Sequence, residues 1–157
     1  MLEGCQTAQE RWGGVHQLID RWLAERKELI LHYSALRERA QPVTQPDRPR
    51  SEFCNVLVDY LSAGHFEIYS QLIREAEDFK DDRGLELINQ LYPRIEVTTQ
   101  EALGFNDSYG HSADTANEQE LQEELQQLGA MLHERFELED CLIEVLHNAH
   151  KTMLTTS

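Results

Sequence analysis

Four long stretches of this chain carry apolar residues at helical spacing, and no stretch alternates convincingly at period two. Such a chain has helix faces to bury and no sheet to bury them on, so it must pack helix against helix. The first stretch runs from about 7 to 39. Thr7 and Glu10 stand at capping-box spacing, and Val15, Leu18, Ile19, Trp22, Leu29, Ile30, Tyr33 and Leu36 keep the period. Gly13 and Gly14 weaken its first turns. The second starts near Ser51, a suitable N-cap, and ends around Asp81–Asp82; Phe53, Val56, Leu57, Tyr60, Leu61, Ile68, Leu72 and Phe79 form its stripe. The third, about 84 to 107, contains Pro93, which makes it two helices or one kinked helix. The fourth begins at Thr115, with Glu118 at capping-box distance, and reaches about 150. A proline-bearing loop at 42–49 and a polar loop at 106–114 separate these stretches. The expected architecture is all-α: an antiparallel up-down four-helix bundle with an interrupted third helical region, forming one domain over 1–157.

Charge is the strongest compositional constraint. The net charge is −15, and it is unevenly spread: residues 1–50 are close to neutral, whereas residues 96–144 carry 13 acidic groups and one basic group. Nucleic-acid binding needs clustered Lys and Arg against phosphate, so this surface opposes it. A basic protein partner would be steered in. Acidity that serves only solubility explains the same count.

The three cysteines, Cys5, Cys54 and Cys141, are odd in number and form no CxxC pair. That argues against a disulfide framework or a thiolate zinc site and fits a reducing, cytoplasmic compartment. Leu2-Glu3-Gly4-Cys5 faintly resembles a lipoprotein cleavage site, but no basic leader or apolar run precedes it. No run approaches the length of a membrane span.

Several polar residues fall on the apolar stripes. Within Leu57-Val58-Asp59-Tyr60-Leu61-Ser62-Ala63-Gly64-His65-Phe66 a carboxylate, a phenol, a hydroxyl and an imidazole surround a glycine, which costs a helix interior about 1 kcal/mol. Arg26 shares the register of Trp22, Leu29 and Tyr33. His65 shares that of Leu61, Ile68 and Leu72. Glu139 shares that of Leu132, Leu142 and Leu146, with Arg135 one turn before. Charges are rarely buried alone. These groups should therefore pair across helices, as Arg26 with Glu139 would, or line a wet groove, or await a partner. A di-iron bundle is disfavoured because His16, His65 and His133 lie on three different helices. No phosphate loop, nucleophile elbow or Cys-His arrangement is present, so no catalytic residue, metal ligand or cofactor is expected. Cys54 and Cys141 lie on stripes, as core residues do.

The chain resembles the Rsd/AlgQ family of regulators of the housekeeping sigma factor. The resemblance is densest at Asp20-Arg21-Trp22-Leu23 with Arg26, at Phe53-Cys54, at the run 57–66 with Ile68-Tyr69, at Tyr92-Pro93 with Thr98, and at Arg135-Phe136, Leu138-Glu139-Asp140 and Leu142-Ile143. Arg11-Trp12-Gly13-Gly14-Val15-His16 and the run 137–147 are closer to the AlgQ branch of the pseudomonads.

The resemblance implies a four-helix bundle that acts as an anti-sigma factor, not an enzyme. It would bind the primary sigma factor of RNA polymerase at the C-terminal domain that reads the −35 element. It would keep that factor from core polymerase and promoter as growth slows, with alginate and siderophore genes among the targets in the AlgQ branch. The expected contact patch comprises Asp20, Arg26, Asp59, Ser62, His65 and Tyr69, with Glu139 nearby and Trp22 and Tyr60 as apolar anchors. Gly64 would admit a close partner helix. A small-ligand or metal-binding bundle with an inner polar pocket is the alternative, and a scaffold for another partner a third. Self-association is left open.

Overall fold

The computed structural model describes residues 7–40, 47–110 and 117–156. Cys5, the middle of the proline loop and the cap expected at Thr115 lie outside the described residues. Helix α1 spans Ala8–Glu38, and Thr7 accepts from the Glu10 amide as its spacing implied. Helix α2 spans Arg48–Ala63, followed without a break by a π turn, Gly64–Ile68, and by α3, Tyr69–Asp78. Helix α4 is Asp82–Tyr109 and α5 is Glu118–Leu142. A second π turn, Ile143–Asn148, leads into α6, Ala149–Thr156. These elements make four rods: α1, α2–α3, α4 and α5–α6.

Cross-rod contacts give the topology. On α1, Arg37, Tyr33, Arg26 and His16 meet Gln122, Leu125, Glu139 and His147 in turn, so the first and fourth rods run antiparallel. Tyr33 meets Phe53, Trp22 meets Tyr60 and Arg11 meets Gln71, so the first and second do too. Phe53–Phe105 and His65–Tyr92 orient the third rod the same way against the second. The core between them is built from the expected stripes, including Val15, Leu29, Phe53, Leu57, Leu72, Ile95, Leu125 and Leu146. Ile30, placed on the stripe by its spacing, is 45% exposed instead.

Three boundaries differ from the sequence reading, each for a local reason. Helix α2 starts before Ser51 because Asp47 caps it, accepting from the Arg50 amide at 3.3 Å, and Pro49 falls in the first turn, where its missing N–H costs nothing. Helix α4 runs through Pro93 as one element and continues to Tyr109. Helix α5 is capped by Asn117, whose side chain accepts from the Gln119 and Glu120 amides. One guanidinium ties three helix ends together. Arg39, the α1 C-cap, donates to both oxygens of Asp47 at 2.7 and 2.6 Å and to Glu118 at 2.9 Å. The hydrogen bonds from Arg39 hold the Asp47 carboxyl below its ordinary value despite burial.

The turn from α3 to α4 is three residues long and contains Lys80 at φ 56°, a left-handed conformation that costs an L-residue about 1–2 kcal/mol. Replacing Lys80 with Gly removes that strain and adds chain entropy to the unfolded state, leaving a net gain of up to about 1 kcal/mol. Urea denaturation of Lys80→Gly checks this, and a loss of stability contradicts it.

Candidate functional site: a buried ion network and the face above it

The centre of the bundle is ionic. Glu139, on α5, is fully buried, and its carboxylate accepts four donors. Tyr60 donates to one oxygen in a short hydrogen bond, and the Arg26 Nη2 reaches the same oxygen at 3.3 Å. Tyr69 donates to the other oxygen at 2.5 Å, as does Arg135 Nε at 3.0 Å. Arg135, also fully buried, spends its remaining donors on Tyr69 at 2.8 Å, Thr98 at 3.1 Å and Thr99 at 2.6 Å. Arg26 donates from Nε to the Tyr60 hydroxyl at 3.0 Å and from Nη1 to Asp140 at 2.6 Å on the surface. Two guanidiniums thus meet two carboxylates, and the cluster is neutral.

The electrostatics keep each group in its donor or acceptor state. Burial, then the adjacent Glu139 carboxylate, drives the Tyr60 and Tyr69 hydroxyls well above the ordinary phenol range, so both stay protonated and donate. Burial alone would lower the Arg26 pKa, but Tyr60, Asp140 and Glu139 raise it further, so the cation is permanent. Arg26 also lies over the Phe136 ring at 4.7 Å and the Trp22 ring at 5.6 Å. Trp22 stacks on Tyr60.

The candidate residues divide into two shells. Trp22, Tyr60, Tyr69 and Glu139 are buried, at 2%, 0%, 4% and 0% exposure, and act as the frame beneath a surface rather than as the surface. Arg26 reaches from the frame to the outside. Asp59, Ser62 and His65 lie on the outer face of the second rod, Ser62 half-buried and the other two exposed. Asp20 is exposed but pairs with His16 at 3.6 Å, on the side of α1 that faces the fourth rod.

Two residues beside the first π turn depart from expectation. His65, expected on the inner stripe, points outward, and Gly64 takes the inner position at ordinary helical spacing from Leu61 and Ile68. A Cβ on Gly64 would stand 3.0 Å from the Tyr69 hydroxyl and 3.3 Å from Trp22. The glycine makes room for the buried aromatics and does not admit a partner helix.

Phe66, in the same turn, is at 74% the most exposed of the large apolar side chains described. Phe66 lies one π-widened turn beyond Ser62, with His65 against it edge to face at 4.7 Å. On one side, in the seam with α1, Arg21, Glu25 and Glu67 gather over Leu18 and Ala63. Burial first, then the neighbouring Asp59 and Glu67 carboxylates, raise the Glu25 pKa. On the other side, between α3 and α4, a cleft of about 320 Å³ is lined by His65, Ser70, Ile73, Ile88, Tyr92 and Pro93, among others. Phe66, Glu25 and Glu67 are absent from the contact patch that the resemblance suggested.

Cys54 is a core residue whose thiol burial pushes up to about 11. Among the described residues no group of three or more His, Cys, Asp or Glu side chains is placed to hold a metal ion. No helix among them is long and apolar enough to cross a membrane.

The fold and its neutral ionic centre define a helical-bundle protein with a buried carboxylate that four donors satisfy and an exposed aromatic on its second rod. The chain belongs to the Rsd/AlgQ family: the family profile described as "Regulator of RNA polymerase sigma(70) subunit, Rsd/AlgQ" matches residues 1–147. Among similar proteins, "Regulator of sigma D" of Yersinia enterocolitica is 34% identical over 149 residues, covering 92% of this chain and 89% of that protein. The protein of that name from Enterobacter sp. (strain 638) is 38% identical over 148 residues, covering 91% of this chain and 88% of the other.

Glu139→Ala leaves Arg135 buried with an uncompensated charge and should cost about 3–5 kcal/mol. Asp140→Ala removes a carboxylate that is 55% exposed and should cost less than about 1 kcal/mol. Chemical denaturation of the two variants side by side reads the difference; similar losses would contradict the network's role.

Proposed function

We propose that this protein is an anti-sigma factor that docks the C-terminal, −35-reading domain of the primary sigma factor on the outer face of its second rod. The observation that carries the reading is Phe66, an exposed aromatic against His65, on the same rod as Asp59 and Glu67, whose carboxylates gather with Glu25 in the adjoining seam. An aromatic anchor within a rim of opposite charge is the arrangement that binding energetics favour. The partner it suits has an apolar spot within a basic surface. A helix-turn-helix module that meets DNA phosphates has such a surface. Family membership supports the reading, since the family and the Yersinia and Enterobacter proteins are described as regulators of a sigma factor.

Docking there would deny the sigma domain to promoter DNA, because the same basic groups cannot serve phosphate and carboxylate together. The excess negative charge of the 96–144 region repels the displaced DNA and speeds encounter at low salt. Sequestration from core polymerase follows if the sigma surface that core uses is covered as well. Asp59, Ser62, His65 and Phe66 are the contact residues in this reading, with Asp20 and Arg26 at the margin. Trp22, Tyr60, Tyr69 and Glu139 hold the face in shape.

Titration of the isolated sigma domain with Phe66→Ala and Asp59→Ala variants tests the assignment. Each should weaken binding about tenfold or more, equal to about 1.4 kcal/mol, with unchanged thermal unfolding. His133→Ala, on the exposed face of α5, should bind as the parent does. Wild-type affinity in both Phe66→Ala and Asp59→Ala would overturn the assignment.

A further inference from the structure

At the end of the bundle far from the turn at Arg39, a second polar chain runs through the interior. Glu75, on α3, is fully buried. One of its oxygens meets His147 Nδ1 at 2.8 Å and the other meets His150 Nδ1 at 2.7 Å. His147 and His150 are 0% and 1% exposed. The second nitrogen of His150 meets Asp81 at 2.7 Å, and the second nitrogen of His147 meets His16 Nδ1 at 3.1 Å. His16, part-exposed on α1, is the open end of the chain. Aromatic rings fix the imidazoles: Trp12 stacks over both His16 and His147, and Phe79 stacks on His150.

The geometry dictates the protons. Carboxylates only accept, so an imidazole with a carboxylate oxygen at 2.7 Å from each nitrogen must carry a proton on both, or leave a lone pair facing a negative oxygen. His150 is in that position and is therefore an imidazolium. His147 faces Glu75 through Nδ1 and His16 through Nε2. His150 thus holds one proton more than a neutral imidazole would bring. Every partner of that proton lies on a different element: Glu75 on α3, Asp81 at the cap of α4, and His150 itself on α6.

We propose that the C-terminal arm, the second π turn with α6, is a proton-held latch that closes on α3 and the α4 cap when His150 is charged and loosens when it is not. Asp81 serves both parts of the latch, accepting from the Gly84 amide with one oxygen and from His150 with the other. Gly84 permits the close fit, since a Cβ there would stand 2.2 Å from Leu146. The π turn sets the angle at which the arm returns, and the His147 carbonyl accepts from Trp12 Nε1 at 2.7 Å.

The other charges facing the site are Asp20, 3.6 Å from His16, Arg83 beside Asp81, and Lys151 over the Trp12 ring. None of them replaces the His150 proton. Burial would depress His150, but its hydrogen bonds to Glu75 and Asp81 outweigh it and raise the group above its ordinary value of 6.5. The sign follows from that direction. The contribution is fully present below about pH 6.5, the unfolded value, and is lost as pH rises through the folded value. The inference stands apart from the sigma-binding assignment and needs no partner.

Amide hydrogen exchange of the full chain, corrected for intrinsic rates, reads the latch directly. Protection across 147–154 should fall as pH rises above about 6.5, by about tenfold for each unit by which folding raises His150. Protection in the middle of α1 and α5 should stay constant. His150→Gln should lower protection of the arm at about pH 6 and flatten its pH profile. Ring-nitrogen chemical shifts of the unaltered protein give a readout that no variant can confound: both His150 nitrogens should be protonated at about pH 7. A singly protonated His150 there, or an arm equally protected across the range, overturns the proposal.

Discussion

The Glu139 carboxylate is the group on which the rest of this structure depends. Its donors and their partners come from every rod: Arg26 from the first, Tyr60 and Tyr69 from the second, Thr98 and Thr99 of the third through Arg135, and Arg135 from its own. A buried ion cluster is not a strong source of net stability, because desolvation consumes much of the Coulomb gain. What it supplies is register. Leucine stripes tolerate sliding and rotation of one helix past another, whereas a carboxylate that must receive two phenols and two guanidiniums accepts one arrangement. The aliphatic layers hold the rods together, and the ionic centre sets which residues face out.

That register carries through to the surface. Tyr60 and Tyr69 are nine residues apart on one rod, and both must reach the same carboxylate. The π turn between them absorbs the mismatch with α-helical period. His65 and Phe66 stand on the outer side of that turn, above the buried aromatics. In this account the inner aromatic and ionic residues act on a partner only through the side chains above them. Loss of partner binding in a Glu139 variant would report a displaced face, and loss in a Phe66 variant a missing contact.

Much of this was legible in the residues. The four stripes, the Thr7 cap, the inward position of Glu139 and its pairing with Arg26 all follow from period and from the cost of a lone buried charge. The acidity of the later half and the run 57–66 pointed to a protein partner and a family. What spacing missed traces to two causes. Gly64 and His65 both keep helical spacing with Leu61 and Ile68, and the Trp22 and Tyr69 rings packed at Gly64 decide between them. Helix starts follow whichever cap the tertiary structure accepts, and Asp47 prevailed over Ser51 because Arg39 holds it in place. The histidine chain also leaves a signal in the sequence: Glu75 shares the register of Ile68 and Leu72, a further charge on an apolar stripe.

Residue-by-residue mapping of the isolated sigma C-terminal domain onto the isotopically labelled protein is the most direct measurement of the central claim. The account predicts perturbations centred on Asp59, Ser62 and Phe66, extending to Glu25 and Glu67 in the α1 seam, with the exposed side of α5 around His133 and Glu137 silent. A footprint centred on α4 and α5, or none at stoichiometric amounts of the domain, would contradict it.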